Sequence, residues 1–253
     1  DFGTPEQEIP ANGLNYDWES CITMNNNWGY APYDDNWKSP EWVVRSVVDT
    51  ASKGGNILLN IGPDEQGLIP EACAANMRKA GEWFAAYGDS IYSTTASPFA
   101  EALPFGAATK KDGVLYLHVT KWPQNGQITL PSLQNTLTGV RVMGTDTSLA
   151  YTENGGTMTI TLPATIPNAL DTVIEVLVEG VPQSGKSYTY SENYALNKPA
   201  TVSNHYQNDA QYSGSAAVDG NSATRWATDD DITESWLEVD LGKETTFNAI
   251  RCS

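Results

Sequence analysis

The sequence predicts a multidomain chain, an α/β segment followed by all-β segments. Three observations carry this. Two helices, the first with an apolar face, flank a short apolar strand before residue 95. Five β-rich runs punctuated by turn dipeptides then fill residues 96–181, and a segment of different composition follows residue 194.

Residues 1–38 are rich in Asn, Gly, Pro, Asp and aromatics around one short apolar run, Cys21-Ile22-Thr23-Met24, and read as a long functional loop around a strand. Ser39-Pro40-Glu41 starts a helix: Ser is an N-cap, Pro suits the first helical position, and Glu faces the positive end of the dipole. Val43, Val44, Val47, Val48 and Ala51 recur at three- and four-residue spacing and bury one face. Lys53-Gly54-Gly55 stops that helix. Residues 56–61 form an apolar strand too short for a helix, closed by Gly62-Pro63. A second helix runs from Pro70-Glu71 to about Tyr87 and ends at Gly88. Helix, strand, loop and helix in this order make a βα unit of a parallel sheet, and a barrel fits.

The runs 114–119, 127–130, 140–142, 158–162 and 172–178 are short and rich in β-branched residues. Asp112-Gly113, Asn125-Gly126 and Asn154-Gly155-Gly156 lie between them as hairpin signals, which predicts an antiparallel sandwich. Residues 182–193 are polar, with Pro182, Ser184 and Gly185, and read as a linker.

A formal net charge of −17 opposes binding to nucleic acid or to an anionic membrane, because a polyanion is repelled at long range. A neutral glycan is indifferent to that field. No apolar stretch approaches the about 18 residues that span a bilayer. Cys21, Cys73 and Cys252 are an odd number without pattern, so they predict buried thiols and neither a disulfide framework nor a zinc site. Eight Trp among the aromatics suit stacking on sugar rings and equally suit ordinary cores.

Trp18-Glu19-Ser20-Cys21-Ile22-Thr23-Met24-Asn25, then Trp28-Gly29-Tyr30, then residues 53–63 from Lys53-Gly54-Gly55-Asn56 to Gly62-Pro63, resemble the end of the catalytic barrel of α-L-fucosidases, glycoside hydrolase family 29. The runs 195–200, 217–221 and 236–242, with Thr224-Arg225-Trp226, resemble the first part of a discoidin-type jelly roll, the fold of family 32 carbohydrate-binding modules. The resemblances imply four parts. Residues 1–95 are the C-terminal part of a (β/α)8-like barrel, 96–181 an antiparallel β-sandwich, 182–193 a linker and 194–253 the N-terminal part of an incomplete discoidin-type module. They also imply a bacterial source, a secreted or cell-surface location, and a fucosylated oligosaccharide or glycoprotein glycan as partner. The resemblance further implies that activity requires an N-terminal half of the barrel missing from these residues.

Retaining cleavage needs two carboxyl groups about 5–5.5 Å apart, one nucleophile and one acid/base. The family takes its nucleophile Asp from an earlier barrel strand, which this chain lacks, so the chain alone is expected to be inactive. Two residues compete for the acid/base. Glu6, in Thr4-Pro5-Glu6-Gln7, matches the position of members with a similar Thr-x-Glu loop and is preferred. Glu19, after Trp18, matches the position used in other branches and is the alternative. Glu8 reads as a solvated carboxylate. Trp28 matches an aromatic that lines the sugar pocket in the family, where covering the C6 methyl of fucose is worth about 1 kcal/mol. Trp18 and Tyr30 read as packing residues, and His118, within a strand of the sandwich, as a satisfied histidine. His205 lies on a loop where discoidin-type modules bind sugar. Asp219, Asn221 and Thr224 present oxygens in a tight turn that holds a structural calcium in such modules. No cofactor is expected for catalysis. The competing class is a non-catalytic glycan-binding or adhesion protein in which the barrel remnant is only scaffold.

Overall fold

The computed structural model describes residues 2–185, 193–221 and 223–245. They divide into two compact units, residues 1–188 and 189–253.

In the first unit, strand β1 (Glu19–Thr23) pairs in parallel with β2 (Asn56–Asn60), with Glu19 beside Asn56 and Thr23 beside Asn60. Helix α1 (Pro40–Ser52) lies between them in the chain, and helix α2 (Glu71–Tyr87) follows β2. The other flank of β1 is also paired. Gly3 bridges Trp18 and Glu6 bridges Cys21, both parallel, with hydrogen bonds from Glu19 N to Gly3 O and from Cys21 N to Pro5 O, both 2.9 Å. Residues 3–6 thus act as a third parallel strand where the sequence predicted loop. Three parallel strands are an open arc, and the described residues form no closed barrel.

Local chemistry explains the helix ends. The Ser39 hydroxyl accepts from Trp42 N at 3.1 Å, and Pro40 and Glu41 fill the first turn. At the other end Gly54 N donates to Ala51 O and Gly55 N to Thr50 O, both 3.0 Å, the paired bonds of a Schellman stop. Gly54 takes a φ of +78°, and a Cβ on Gly55 would sit 2.3 Å from the Trp18 ring. A side chain is therefore excluded at the point where the chain turns from α1 into β2. Helix α2 has no side-chain cap and passes through Gly88 into a 3-10 turn, Gly88–Ser90, instead of ending there.

The sandwich has strands β3 (Gly106–Lys111), β4 (Val114–Val119), β5 (Gln127–Pro131), β6 (Leu137–Val142), β7 (Tyr151–Asn154), β8 (Thr157–Thr161) and β9 (Thr172–Val178). One antiparallel sheet runs β3-β4-β9-β6 and the other β5-β8-β7. Asp112-Gly113 turns β3 into β4 and Asn154 to Gly156 turns β7 into β8, as hairpins. Asn125-Gly126 makes no hairpin. The strands beside it, β4 and β5, lie in different sheets, because both edges of β4 are already taken by β3 and β9.

All six residues of β4 are buried. Its alternation explains why: Leu115, Leu117 and Val119 face the other sheet with Ile128, Met158 and Ile160, while Val114 and Tyr116 join Val43, Val44 and Val48 of α1 and Trp83 of α2. The unit is a stack of helices, four-stranded sheet and three-stranded sheet, with the parallel arc beside the helices. Arg45 ties the layers further, donating to Leu170 O at 3.2 Å and Thr120 O at 2.9 Å.

In the second unit β10 (Ala200–Val202) pairs antiparallel with β11 (Leu237–Val239). Three short 3-10 turns lie between them. Most of the predicted linker (186–192) and the last eight residues of the predicted module, Cys252 among them, lie outside the described residues.

Candidate active site

Parallel strands place side chains of one parity on one face. The register 3 with 18 and 6 with 21 sets Thr4 and Glu6 on the face of Glu19, Cys21 and Thr23, which β2 continues with Asn56, Leu58 and Asn60. Glu6 lies beside Cys21, two residues nearer the carboxyl edge than Glu19, about 7 Å along the strand. Glu6 is exposed, Glu19 half-buried, and the carboxyl edge of parallel strands is where such folds bind ligands.

At that edge the indole Nε1–H of Trp28 donates to Glu6 Oε1 at 3.0 Å, joining two of the predicted residues across 22 positions of sequence. Trp28 is 42% exposed, so its ring has a free face. Its backbone carbonyl accepts from Asn60 Nδ2, at the last position of β2, at 2.6 Å. Gln7, with a φ of +58°, donates from Nε2 to Thr23 Oγ1 at 3.0 Å and accepts from Thr23 N at 3.2 Å, so its amide continues the pairing past the end of the strand.

The loop that carries Trp28 is organised by Asp34, which is buried. Its carboxylate accepts from Asn27 Nδ2 (2.7 Å), Asn26 N (2.8 Å), Asn36 N (3.1 Å) and Asn26 Nδ2 (3.2 Å). Burial pushes this carboxyl up, but the hydrogen bonds from Asn27, Asn26 and Asn36 together outweigh it and hold the group below the usual carboxylate range. Lys38 closes the base of the loop on Thr23 O at 2.5 Å and lies 5.0 Å from the Trp42 ring centroid. Burial pushes its ammonium below the usual lysine range, against the field of Asp34.

Trp18 is buried and packs against Gly55, as predicted. Tyr30 does not pack. It is exposed, as is Tyr33, because the loop folds around Asp34 and turns these rings outward. Sequence places Asn60 on the active face after its strand but gives it no role, and it does not single out Gln7 or Asp34; the signal for Asp34 is the density of amides, Asn25-Asn26-Asn27 with Asn36, around the Asp34-Asp35 pair. Among the described residues, surface hollows lie elsewhere, against α1 at Trp42 and Arg45 and on the sandwich at Leu103 and Leu130. Glu6 and Trp28 line neither and stand on an open rim.

His118 is a core histidine with partners on both nitrogens, Asp171 Oδ2 at 2.6 Å and Thr109 Oγ1 at 3.3 Å. Cys73 is buried, which pushes its thiol up, whereas Cys21 is half-buried.

In the second unit His205 is half-buried in extended backbone just before the 3-10 turn Tyr206–Asn208. The Thr224 hydroxyl lies 2.7 and 2.9 Å from the two Asp219 oxygens and 2.8 Å from Asn221 O. One hydroxyl hydrogen cannot serve three acceptors, so oxygen lone pairs converge here in excess of protons, the donor chemistry of a hard cation. Hydrogen bonds from Thr224 and from Asn221 N hold the Asp219 carboxyl below its usual range and keep it anionic. Among the described residues no cluster of three or more His, Cys, Asp or Glu side chains could hold a metal.

Two family models, "Alpha-L-fucosidase" on residues 1–89 and "Alpha-L-fucosidase C-terminal domain" on residues 105–177, match the first unit. "F5/8 type C domain" matches residues 199–253. Plasma alpha-L-fucosidase of Rattus norvegicus is 31% identical over 158 residues, 57% of this chain and 34% of that protein. Alpha-L-fucosidase of Branchiostoma floridae is 32% identical over 166 residues, 60% of this chain and 36% of that protein. Among solved structures, alpha-L-fucosidase isoenzyme 1 from Paenibacillus thiaminolyticus superposes with a TM-score of 0.65 at 33% identity, over 71% of this chain and 45% of that one. A Thermotoga maritima alpha-fucosidase in complex with a mechanism based inhibitor superposes at 0.60 and 28%, over 70% of this chain and 42% of that one.

The chain thus joins parallel strands with an acid at their carboxyl edge to an antiparallel sandwich, an arrangement matched in sequence and fold by glycoside hydrolases. It carries the C-terminal part of a family 29 α-L-fucosidase, followed by discoidin-type F5/8 type C sequence. The chain spans about a third of the length of the curated relatives it matches.

Proposed function

We propose that this chain supplies the acid/base and one wall of the sugar pocket in a retaining exo-α-L-fucosidase that releases L-fucose from fucosylated glycans. The hydrogen bond between Glu6 and Trp28 carries the reading: it joins a carboxyl and an aromatic face at the carboxyl edge, within the stretch matched by the α-L-fucosidase model. Glu6 protonates the glycosidic oxygen while an Asp from a barrel strand outside these residues attacks the anomeric carbon and the leaving alcohol departs. Glu6, now a carboxylate, then takes a proton from water, whose oxygen displaces the Asp with net retention. The exposed ring of Trp28 covers the methyl-bearing face of fucose. The inhibitor named in the Thermotoga maritima structure is mechanism based, which supports covalent chemistry at the corresponding site.

Glu19 is the second choice, since it shares the face but lies deeper along its strand. In the second unit Asp219, Asn221 O and Thr224 would hold a structural calcium that fastens the turn. His205 is offered as a sugar contact of that unit. A glycosidase joined to an F5/8 type C domain fits an extracellular or lysosomal place of work, and no helix among the described residues is long and apolar enough to cross a membrane.

In the full-length protein Glu6→Gln should lose about 10²–10⁴-fold in turnover of a fucosyl disaccharide while Glu19→Gln retains most of it. The reverse pattern moves the acid/base to Glu19. No fucosidase activity in the full-length parent would favour a glycan-binding scaffold. The 253 residues alone should not turn over an aryl fucoside.

A further inference from the structure

We propose that Asn60 is a positioning residue for acid/base catalysis: its side-chain amide clamps the Trp28 backbone so that the Trp28 indole N–H fixes the Glu6 carboxyl. This rests on Glu6 being the acid/base, as proposed above.

Three observations meet at one point. Asn60 Nδ2 donates to Trp28 O at 2.6 Å, and Trp28 Nε1 donates to Glu6 Oε1 at 3.0 Å. Behind Trp28, the loop after β2 closes on the same peptide. Gly62, with a φ of +51°, is so near that a Cβ there would lie 3.4 Å from Gly29 O and 3.7 Å from Trp28 O. The Trp28-Gly29 backbone is thus held from β2 by an amide and by close approach of a glycine. Glu6 stands on residues 3–6 on the other flank of β1. Trp28 therefore bridges two strand ends across the one between them, and Asn60 is the anchor of that bridge.

A freely rotating exposed carboxyl presents either oxygen in many orientations. An N–H bonded to Oε1 commits that oxygen as acceptor and leaves Oε2 to carry the transferable proton towards the leaving oxygen. Trp28 therefore does two jobs: its face meets sugar and its edge aims the acid. Asn60 touches neither substrate nor Glu6 and acts only through Trp28.

The test uses the full-length protein and two substrates. One is an aryl fucoside with an acidic phenol, which needs little protonation on leaving; the other is a fucosyl disaccharide, whose alcohol must be protonated. Asn60→Leu keeps the side-chain size and removes the donor, and Trp28→Phe keeps a ring and removes the N–H. Each should lower kcat for the disaccharide about tenfold more than kcat for the aryl fucoside; Asn60→Leu, which leaves the Trp28 ring in place, should also change KM for the aryl fucoside by less than about twofold. A merely structural role would depress both substrates alike. Equal losses on both substrates, or a change confined to KM, overturn the proposal. Trp28 is exposed, so Trp28→Phe reports even where Asn60→Leu fails to fold. If Glu6→Gln keeps full disaccharide turnover, the acid/base reading fails. If Glu6→Gln is crippled and neither variant splits the substrates, the positioning role alone fails.

Discussion

Replacing His118 by Ala probes the core that backs the site. His118 and Asp171 are both wholly buried, with Nδ1 donating to Oδ2 at 2.6 Å. The other oxygen, Asp171 Oδ1, has no hydrogen-bond partner, so the imidazole is the donor that keeps this carboxyl satisfied in the core. Trp83 of α2 donates to the Asp171 carbonyl at 2.9 Å, which places the pair where the helix layer meets the sheet. Breaking a buried pair from one side costs about 3–5 kcal/mol, because the partner is left buried and alone. A unit of this size loses about 2–4 °C in Tm per kcal/mol, so His118→Ala should melt on the order of 10 °C below the parent by calorimetry. Asp171→Asn keeps the shape and an acceptor for Nδ1 and should cost less, about 1–3 kcal/mol. An Ala variant melting within about 2 °C of the parent, or an Asn variant melting lower than it, would refute this account of the core.

Two more expectations concern the loop of Trp28 and the second unit. Asp34 is held below its ordinary carboxylate value in the folded protein, so its stabilisation is complete above that value, about 3.9, and is lost as pH falls through the lower folded value. With Glu6→Gln as the background, so that no carboxyl titrates against the indole, the emission contributed by Trp28 should therefore be flat from pH 7 to about 5 and change only in stronger acid; adding Asp34→Asn should lose that acid step, and a step near pH 6 in that background would contradict it. Millimolar calcium should raise the melting temperature of the second unit, and Asp219→Ala should abolish the rise; an equal rise in that variant would remove the assigned turn.

How far the sequence led depended on whether the information was local. The Ser39-Pro40-Glu41 start and the Gly54-Gly55 stop of α1 are written in adjacent residues and were legible. β4 and β9 were bounded to the residue by their nearly continuous apolar, β-rich runs. β3, with the sequence Gly-Ala-Ala-Thr-Lys-Lys, has little strand propensity and exists because β4 offers it a partner. Residues 3–6 include Pro5 and only one residue with strand preference, so pairing with β1 was invisible without the fold. The contact of Glu6 with Trp28 came within reach through family resemblance. The roles of Asn60 and Asp34 depend on hydrogen bonds that only folding brings together.

The most direct test of the central claim is a crystal structure of the full-length protein with a fucose-configured iminosugar bound. The account predicts the Glu6 carboxyl within hydrogen-bond reach of the position of the leaving oxygen, an Asp carboxyl about 5–5.5 Å from it across the anomeric centre, and the Trp28 ring against the sugar methyl. An inhibitor bound with Glu6 turned away and Glu19, or an acid outside these residues, at the leaving oxygen would contradict it.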